Sequence, residues 1–289
     1  MIMQKYEIYR IKQKLLFKNL PFTENVLLLQ HPYEILTRHE MIITVIQNDV
    51  KWACPDYNMT AAEALIANAP QSDLYVLPEM WATGFMTDDP AGACSTAPLE
   101  WMQHTAERHC CAVSGSLAVR AADGTFRNRH YFVMPDGSFY YYDKHHLFTY
   151  GGEDRHYTAG RRRVVAEYKG VRFLLQTCYD LRFPVWMRYR DDYDAIIFAA
   201  NWPASRQTVW RTLLRARAME NQCYVIGANR TGSDPAAEYS GGSTVIDAKG
   251  ATLAEAAGTA EQAVTAEISL DELRRFRAKF PVLADRDRF

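Results

Sequence analysis

Two runs of the chain are apolar at every position: Leu74-Tyr75-Val76-Leu77 and Ala195-Ile196-Ile197-Phe198-Ala199-Ala200. Each follows an aspartate, Asp73 or Asp194, and each leads into a turn, Pro78-Glu79 or Asn201-Trp202. A strand that does not alternate polar with apolar is covered on both faces, so it belongs to a sheet packed between other layers. The echo between the two runs predicts two similar halves, each a sheet covered by helices. From the residues alone this is an α/β fold with buried sheets.

The rest of the pattern agrees from residue 41 onward. Ile42 to Gln47 reads as a first strand. Asn58 to Asn68 reads as a helix with Thr60 and Glu63 at capping-box spacing. Leu99 to His109 is a second helix, entered through Pro98. Ala112 to Val119, Arg129 to Met134 and Phe139 to Asp143 are strands, with Pro135-Asp136-Gly137-Ser138 as a hairpin turn. Val171 to Leu175 is another, and Pro184 to Arg190 a short helix. Ser205 is expected to cap a long helix to Gln222 with Val209, Leu213, Ala216 and Met219 near one face. Cys223 to Ala228, Ser243 to Asp247 and Ala263 to Ile268 complete the strands, with a turn at Lys249-Gly250.

Three strand ends carry chemistry. The run Leu74 to Leu77 delivers Glu79, the aromatic run Phe139 to Tyr142 delivers Lys144, and Val171 to Leu175 delivers Cys178. Ligands bind outside the carboxyl ends of strands in open α/β sheets, so the three suggest one shared site. A carboxylate can take the thiol proton, the thiolate can attack a carbonyl, and an ammonium lowers the thiol pKa and stabilises the oxyanion. That set suits acyl transfer from an amide or nitrile through a thioester. Taken singly, each residue reads as structural: a buried small hydrophobe, a solvated acid, a surface lysine. Their joint occurrence and the words around them carry the argument. The N-terminus of the helix at Pro184 is also expected to favour a thiolate at Cys178.

Those words resemble the nitrilase-like carbon–nitrogen hydrolase superfamily. They are Leu77-Pro78-Glu79-Met80, then Tyr142-Asp143-Lys144-His145-His146-Leu147-Phe148, then Cys178-Tyr179-Asp180-Leu181-Arg182-Phe183-Pro184. Asn201-Trp202-Pro203-Ala204, Arg217-Ala218-Met219-Glu220-Asn221-Gln222 and Lys279-Phe280-Pro281 resemble the bacterial omega-amidases in particular. The resemblance implies a four-layer α-β-β-α sandwich, a homodimer, and hydrolysis of 2-oxoglutaramate or 2-oxosuccinamate without a cofactor. It implies Glu79 as general base, Lys144 and the Tyr179 N–H as oxyanion donors, Cys178 as nucleophile, and Glu153 beside the lysine. Arg182 would receive a substrate carboxylate, since a guanidinium fork fits one; an ion pair with Asp180 or another acid is the equal alternative. Trp202 and Phe85 would wall the pocket, with core packing an equal reading for Phe85. The same residues would serve a carbamoylase, another small-amide amidase or a nitrilase. A binding protein on the same fold would have no need of them.

Composition narrows the setting. The chain has 289 residues, 48% hydrophobic and 23% charged, with a net charge of −1, which gives no support for nucleic-acid or membrane partners. Arg161-Arg162-Arg163 reads as a solvated turn. Six cysteines show neither a CxxC pair nor a zinc spacing, so free thiols in a reducing cytosol are expected. His145 and His146, as neighbours on a strand, would point to opposite faces, and no metal is expected. No run is long enough to span a membrane, and the first forty residues lack a signal peptide. Residues 1–40 precede the resemblance and read as an extension, disordered or upstream of a natural start at Met41. The resemblance implies that residues 41–289 form a carbon–nitrogen hydrolase domain.

Overall fold

The computed structural model describes residues 40–287; the extension expected over residues 1–40 lies, but for its last residue, outside them. Strand β1 (Glu40–Gln47) leads into α1 (Pro55–Asn68), β2 (Leu74–Val76), α2 (Pro90–Ala93), α3 (Ala97–His109), β3 (Ala112–Arg120), β4 (Phe126–Val133) and β5 (Phe139–Asp143). The second half runs β6 (Val165–Tyr168), β7 (Val171–Thr177), α4 (Pro184–Met187), β8 (Ala195–Ala200), α5 (Gln207–Asn221) and β9 (Tyr224–Asn229). It closes with β10 (Thr231–Ser233), β11 (Glu238–Ser240), β12 (Thr244–Ile246), β13 (Thr252–Glu255), β14 (Gln262–Ser269) and α6 (Leu270–Lys279).

Two six-stranded sheets result, ordered β14-β1-β2-β3-β4-β5 and β13-β12-β9-β8-β7-β6, with β10 and β11 as a separate ribbon. The centre of each sheet is a parallel trio, β1-β2-β3 and β7-β8-β9, and the flanking pairs are antiparallel. The apolar runs read from the sequence are the middle strands of the two trios. Their leading aspartates also match. Asp73 Oδ2 accepts from the Ile42 N–H at 2.9 Å, and Asp194 Oδ2 accepts from the Arg172 N–H at 3.3 Å. Each acid thus ties its strand to the neighbouring parallel one at the same place.

Alternate side chains of the trios feed different cores. Val76, Ile197, Phe173, Leu175, Ile226 and Phe132 meet between the sheets. Tyr75 and Val113 face outward onto Ile66 of α1 and Met102 and Ala106 of α3. Ile196, Phe198 and Val225 face outward onto Trp210, Leu214 and Ala218 of α5. Three apolar interfaces between four layers make the α-β-β-α sandwich that the sequence resemblance implied, and the strands β2, β8 and β9 are buried on both faces.

Helix boundaries depart from expectation where a proline or a turn overrides a side-chain cap. Helix α1 starts at Pro55, so Thr60 lies inside it and donates to the Asp56 carbonyl at 2.9 Å rather than capping, while Glu63 pairs with Arg108. Ser205 caps nothing: it sits in a 3₁₀ turn, Ala204–Arg206, and α5 begins behind it. The buried face of α5 is Trp210, Leu214, Arg217, Ala218 and Asn221, and Met219 is exposed. Of the face expected from Val209, Leu213, Ala216 and Met219, Val209 and Leu213 pack partly buried at the edge of this core and only Met219 is exposed, while Arg217 joins the core with Nε and Nη2 on the Leu181 carbonyl. Helix α4 ends at Met187, short of Arg190.

A buried histidine forms a polar bridge between the sheets. His130 of β4 is fully buried; its Nδ1 lies 3.0 Å from the Gln176 carbonyl of β7 and its Nε2 2.8 Å from Ser114 Oγ of β3. A carbonyl only accepts, so Nδ1 carries the proton and Nε2 accepts from the serine. Burial pushes the imidazole down to about 4 against weaker opposing effects of the Gln176 carbonyl and Asp180. The unfolded chain binds this proton near pH 6.5 and the native one does not, so the stabilising effect is whole above pH 6.5 and fades as the pH falls to about 4. We expect urea unfolding to show wild type losing about 3 kcal/mol more over that range than His130→Asn. Equal losses in the two proteins would remove His130 from the acid response.

Candidate active site

Three chain segments leave the sheets on one side and converge. After β2 the chain passes Pro78 to Glu79, and Met80 takes a left-handed φ of 43° with its N–H on Ser116 Oγ at 2.9 Å. Gly115 of β3 lets that segment lie close, since a Cβ there would come within 2.9 Å of Leu77 Cβ. Lys144 follows β5, its N–H donating to the Asn128 carbonyl and its carbonyl accepting from Gly160, both at 2.9 Å. Cys178 opens a 3₁₀ turn, Cys178–Arg182, directly after β7, also at a φ of 43°. Non-glycine residues at such φ are uncommon and persist where surroundings over-determine them. Asp180 does that work: it accepts from the Thr177 N–H, the Tyr142 hydroxyl and both the N–H and Nδ1 of His146, at 2.8 to 3.0 Å.

Lys144 is buried between two glutamates. Its Nζ donates to Glu79 Oε1 and Glu153 Oε2, each at 2.8 Å. Asn128, which the sequence reading passed over, donates one amide hydrogen to Glu79 Oε1 at 2.8 Å and the other to Glu153 Oε1 at 2.9 Å. The opposite amide orientation would set a carbonyl against two carboxylates. Glu79 Oε2 accepts from the Asn201 N–H at 2.9 Å, and Glu153 Oε2 also accepts from the Phe148 N–H at 2.6 Å. Burial opposes the Lys144 cation, but Glu153 and Glu79 outweigh it and raise its pKa, so the ammonium is firmly charged. Burial raises Glu153 despite the pull of Lys144. One lysine proton remains beyond the two that the glutamates take.

The thiol does not behave as expected from a neighbouring lysine. Burial raises Cys178 most and Glu79 raises it further, while Lys144 and the Asn201 backbone pull the other way and lose. The resting group is therefore a thiol. Helix α4 cannot reverse this, because four residues give one turn and little dipole.

Glu79, Cys178, Tyr179, Arg182, Trp202 and Phe85 line one cavity of about 570 Å³. Lys144 and Glu153 lie behind it; Lys144 Nζ stands 5.3 Å from the Phe85 ring centroid. Arg182 lies over the Trp202 ring at 5.2 Å, and among the described residues no acid pairs with it. The alternative ion pair with Asp180 is not formed, since that carboxylate is filled by His146, Tyr142 and the Thr177 N–H. Arg206, Tyr150, Trp52 and the 234–237 loop also line the cavity and went unread, because loop residues carry no periodic signal. His145 and His146 follow the strand rather than lie in it, and their rings meet at 4.5 Å instead of facing apart. His145 stacks on Trp186 at 3.7 Å and His146 on Phe183 at 4.0 Å. All six cysteines are free.

The pattern of the carbon–nitrogen hydrolase family matches residues 42–278. The chain belongs to that family. It is 42% identical over 249 residues to omega-amidase YafV of Yersinia enterocolitica, covering 86% of this chain and 97% of the relative. It is 37% identical over 251 residues to 2-oxoglutaramate amidase of Bacillus subtilis, covering 84% and 96%. Among solved structures it is similar to XC1258 of Xanthomonas campestris, a CN-hydrolase superfamily protein described with an arsenic adduct in its active site. That match has a TM-score of 0.83 and 40% identity, and covers 87% of this chain and 98% of the other. No helix of the described residues is long and apolar enough to cross a membrane.

The electrostatics around Cys178 have a testable sign. Glu79 disfavours the thiolate and Lys144 favours it, and Glu153 keeps Lys144 charged when Glu79 is neutralised. In Glu79→Gln the thiol should therefore deprotonate at lower pH than in wild type. Thiolate absorbance at 240 nm, taken as a difference from Cys178→Ala, reads this directly; an unchanged or higher titration point would sink the assignment.

Proposed function

We propose that the protein is an omega-amidase, hydrolysing the terminal amide of a short 2-oxo dicarboxylic acid monoamide, 2-oxoglutaramate or 2-oxosuccinamate, to the 2-oxo diacid and ammonia. The observation that carries the substrate class is Arg182. It is half-buried, unpaired among the described residues, stacked over Trp202, and lines the same cavity as Cys178. A guanidinium in that state suits the free carboxylate of a substrate whose amide lies at the thiol. The named activities of the relatives, omega-amidase and 2-oxoglutaramate amidase, agree with it.

In this reading Glu79 takes the thiol proton as Sγ attacks the amide carbon. A thiol that rests protonated beside a carboxylate needs that concerted base. The remaining Lys144 proton and the Tyr179 N–H receive the oxyanion. Glu79 returns its proton to the leaving nitrogen, and ammonia departs from the thioester. Water then enters, Glu79 accepts its proton, and attack on the thioester carbon releases the acid and restores the thiol. Glu153 and Asn128 do not reach the cavity; they fix Lys144 and Glu79. Each step uses only these side chains and water. We extend the reading to a homodimer working in the cytosol, which light scattering and cell fractionation would check.

Ammonia release from 2-oxoglutaramate, beside glutamine, asparagine, a carbamoyl amino acid and a simple nitrile, tests the whole. Selective release from 2-oxoglutaramate is expected. Cys178→Ala should abolish it with an unchanged melting curve, and Glu79→Gln should lower kcat by about 10²–10⁴-fold. Full activity in Cys178→Ala would end the mechanism; selective turnover of another panel member would replace the substrate.

A further inference from the structure

The cavity holds a second guanidinium that the proposed reaction has not used. Arg206 lines it with the same residues, lies over the Phe148 ring at 5.4 Å, and has no acid partner among the described residues. It is half-buried like Arg182. The two arginines share a mount: Trp202, beneath Arg182, donates from Nε1 to the Arg206 carbonyl at 2.8 Å. Phe148, beneath Arg206, is held through its N–H on Glu153 and packs edge-on to Tyr179 at 5.1 Å.

The acids of the cavity do not neutralise this pair. Glu79 is held by Lys144, Asn128 and Asn201. Asp234 is turned onto the Tyr239 hydroxyl at 2.6 Å and the N–H groups of Ala236 and Ala237, with Arg230 at 3.8 Å. Asp88 stands exposed on the rim. The first turn of α5 adds no acid. Two partly desolvated guanidinium groups, each over an aromatic ring, call for more acceptor than one carboxylate offers. A 2-oxo acid supplies it, since its keto oxygen sits next to the carboxylate. A 2-amino acid places an ammonium there instead, against two like charges.

We propose that Arg206 is a specificity-determining residue that, with Arg182 on the carboxylate, receives the 2-oxo oxygen of the substrate and turns away the corresponding 2-amino acid. This rests on the omega-amidase reading. It makes the choice of 2-oxoglutaramate over glutamine a property of the second guanidinium rather than of the reacting centre.

The test compares kcat/KM for 2-oxoglutaramate, glutarate monoamide, which lacks only the 2-oxo group, and glutamine in wild type, Arg206→Gln, Arg206→Lys and Arg182→Gln. Arg206→Gln should cut the preference for 2-oxoglutaramate over glutarate monoamide by about 10–100-fold, mainly through KM, and narrow the gap to glutamine. Arg206→Lys should restore the rejection of glutamine but only part of the 2-oxo preference, because it keeps the charge and loses the fork. Arg182→Gln should lower kcat/KM on all three substrates together. Preferences unchanged in Arg206→Gln, or an equal loss on all three substrates, would overturn the role of Arg206 alone. A wild type that favours no 2-oxo amide would overturn the omega-amidase reading beneath it. Melting curves of both Arg206 variants separate loss of fold from loss of recognition.

Discussion

Everything at this site depends on one buried ammonium shared by two carboxylates. Lys144 has no exposed surface to speak of, and its charge survives only because Glu79 and Glu153 each accept from it at 2.8 Å. Burying ions costs several kcal/mol apiece unless geometry and further hydrogen bonds are complete. Asn128, the Phe148 N–H and the Asn201 N–H complete them. Burial and the Glu79 carboxylate raise the Cys178 thiol well above its ordinary range, which spares a buried thiolate; in the proposed reaction Glu79 then takes the proton.

The sandwich exists to hold that cluster. Its members come from β4, the exits of β2 and β5, the turn after β8 and a loop turn, Glu153–Arg155. No single element carries more than one of them, so their distances are set by sheet register. Strand β5 runs in the same direction as β3, because both are antiparallel to β4. Lys144 therefore leaves its sheet on the side where Glu79 leaves. Close packing transmits any slip in that register to the reacting groups.

What was legible in the sequence follows from this division of labour. The apolar middle strands were readable because burial on both faces strips them of polar residues, and Glu79, Lys144 and Cys178 stood out at their ends. The architecture and the family followed from those words. The network was less legible. Asn128 falls just before the strand expected from Arg129, whereas the strand itself begins at Phe126 and buries Asn128. Only the fold shows it meeting two acids 49 and 25 residues away. The sign of the thiol shift was misread because a lysine nearby was visible in the motif, whereas complete burial was not. Helix starts were misread at Thr60 and Ser205 because proline and a 3₁₀ turn set the boundary before a hydroxyl could.

Reaction and selectivity are built from different materials, and that separation has a physical basis. The groups that handle protons in the proposed reaction are buried and multiply bonded, so a substitution there would disturb charge balance at once. The residues proposed to face the far end of the substrate, Arg182 and Arg206, are half-buried, lie over aromatic rings and are carried by turns. A stacked guanidinium keeps its orientation without an acid partner, because the ring restricts it while leaving its donors free. Such a donor can be exchanged without unbalancing the buried cluster. The same Glu–Lys–Cys chemistry can therefore serve different small amides according to which side chains the 3₁₀ turns at Cys178–Arg182 and Ala204–Arg206 present.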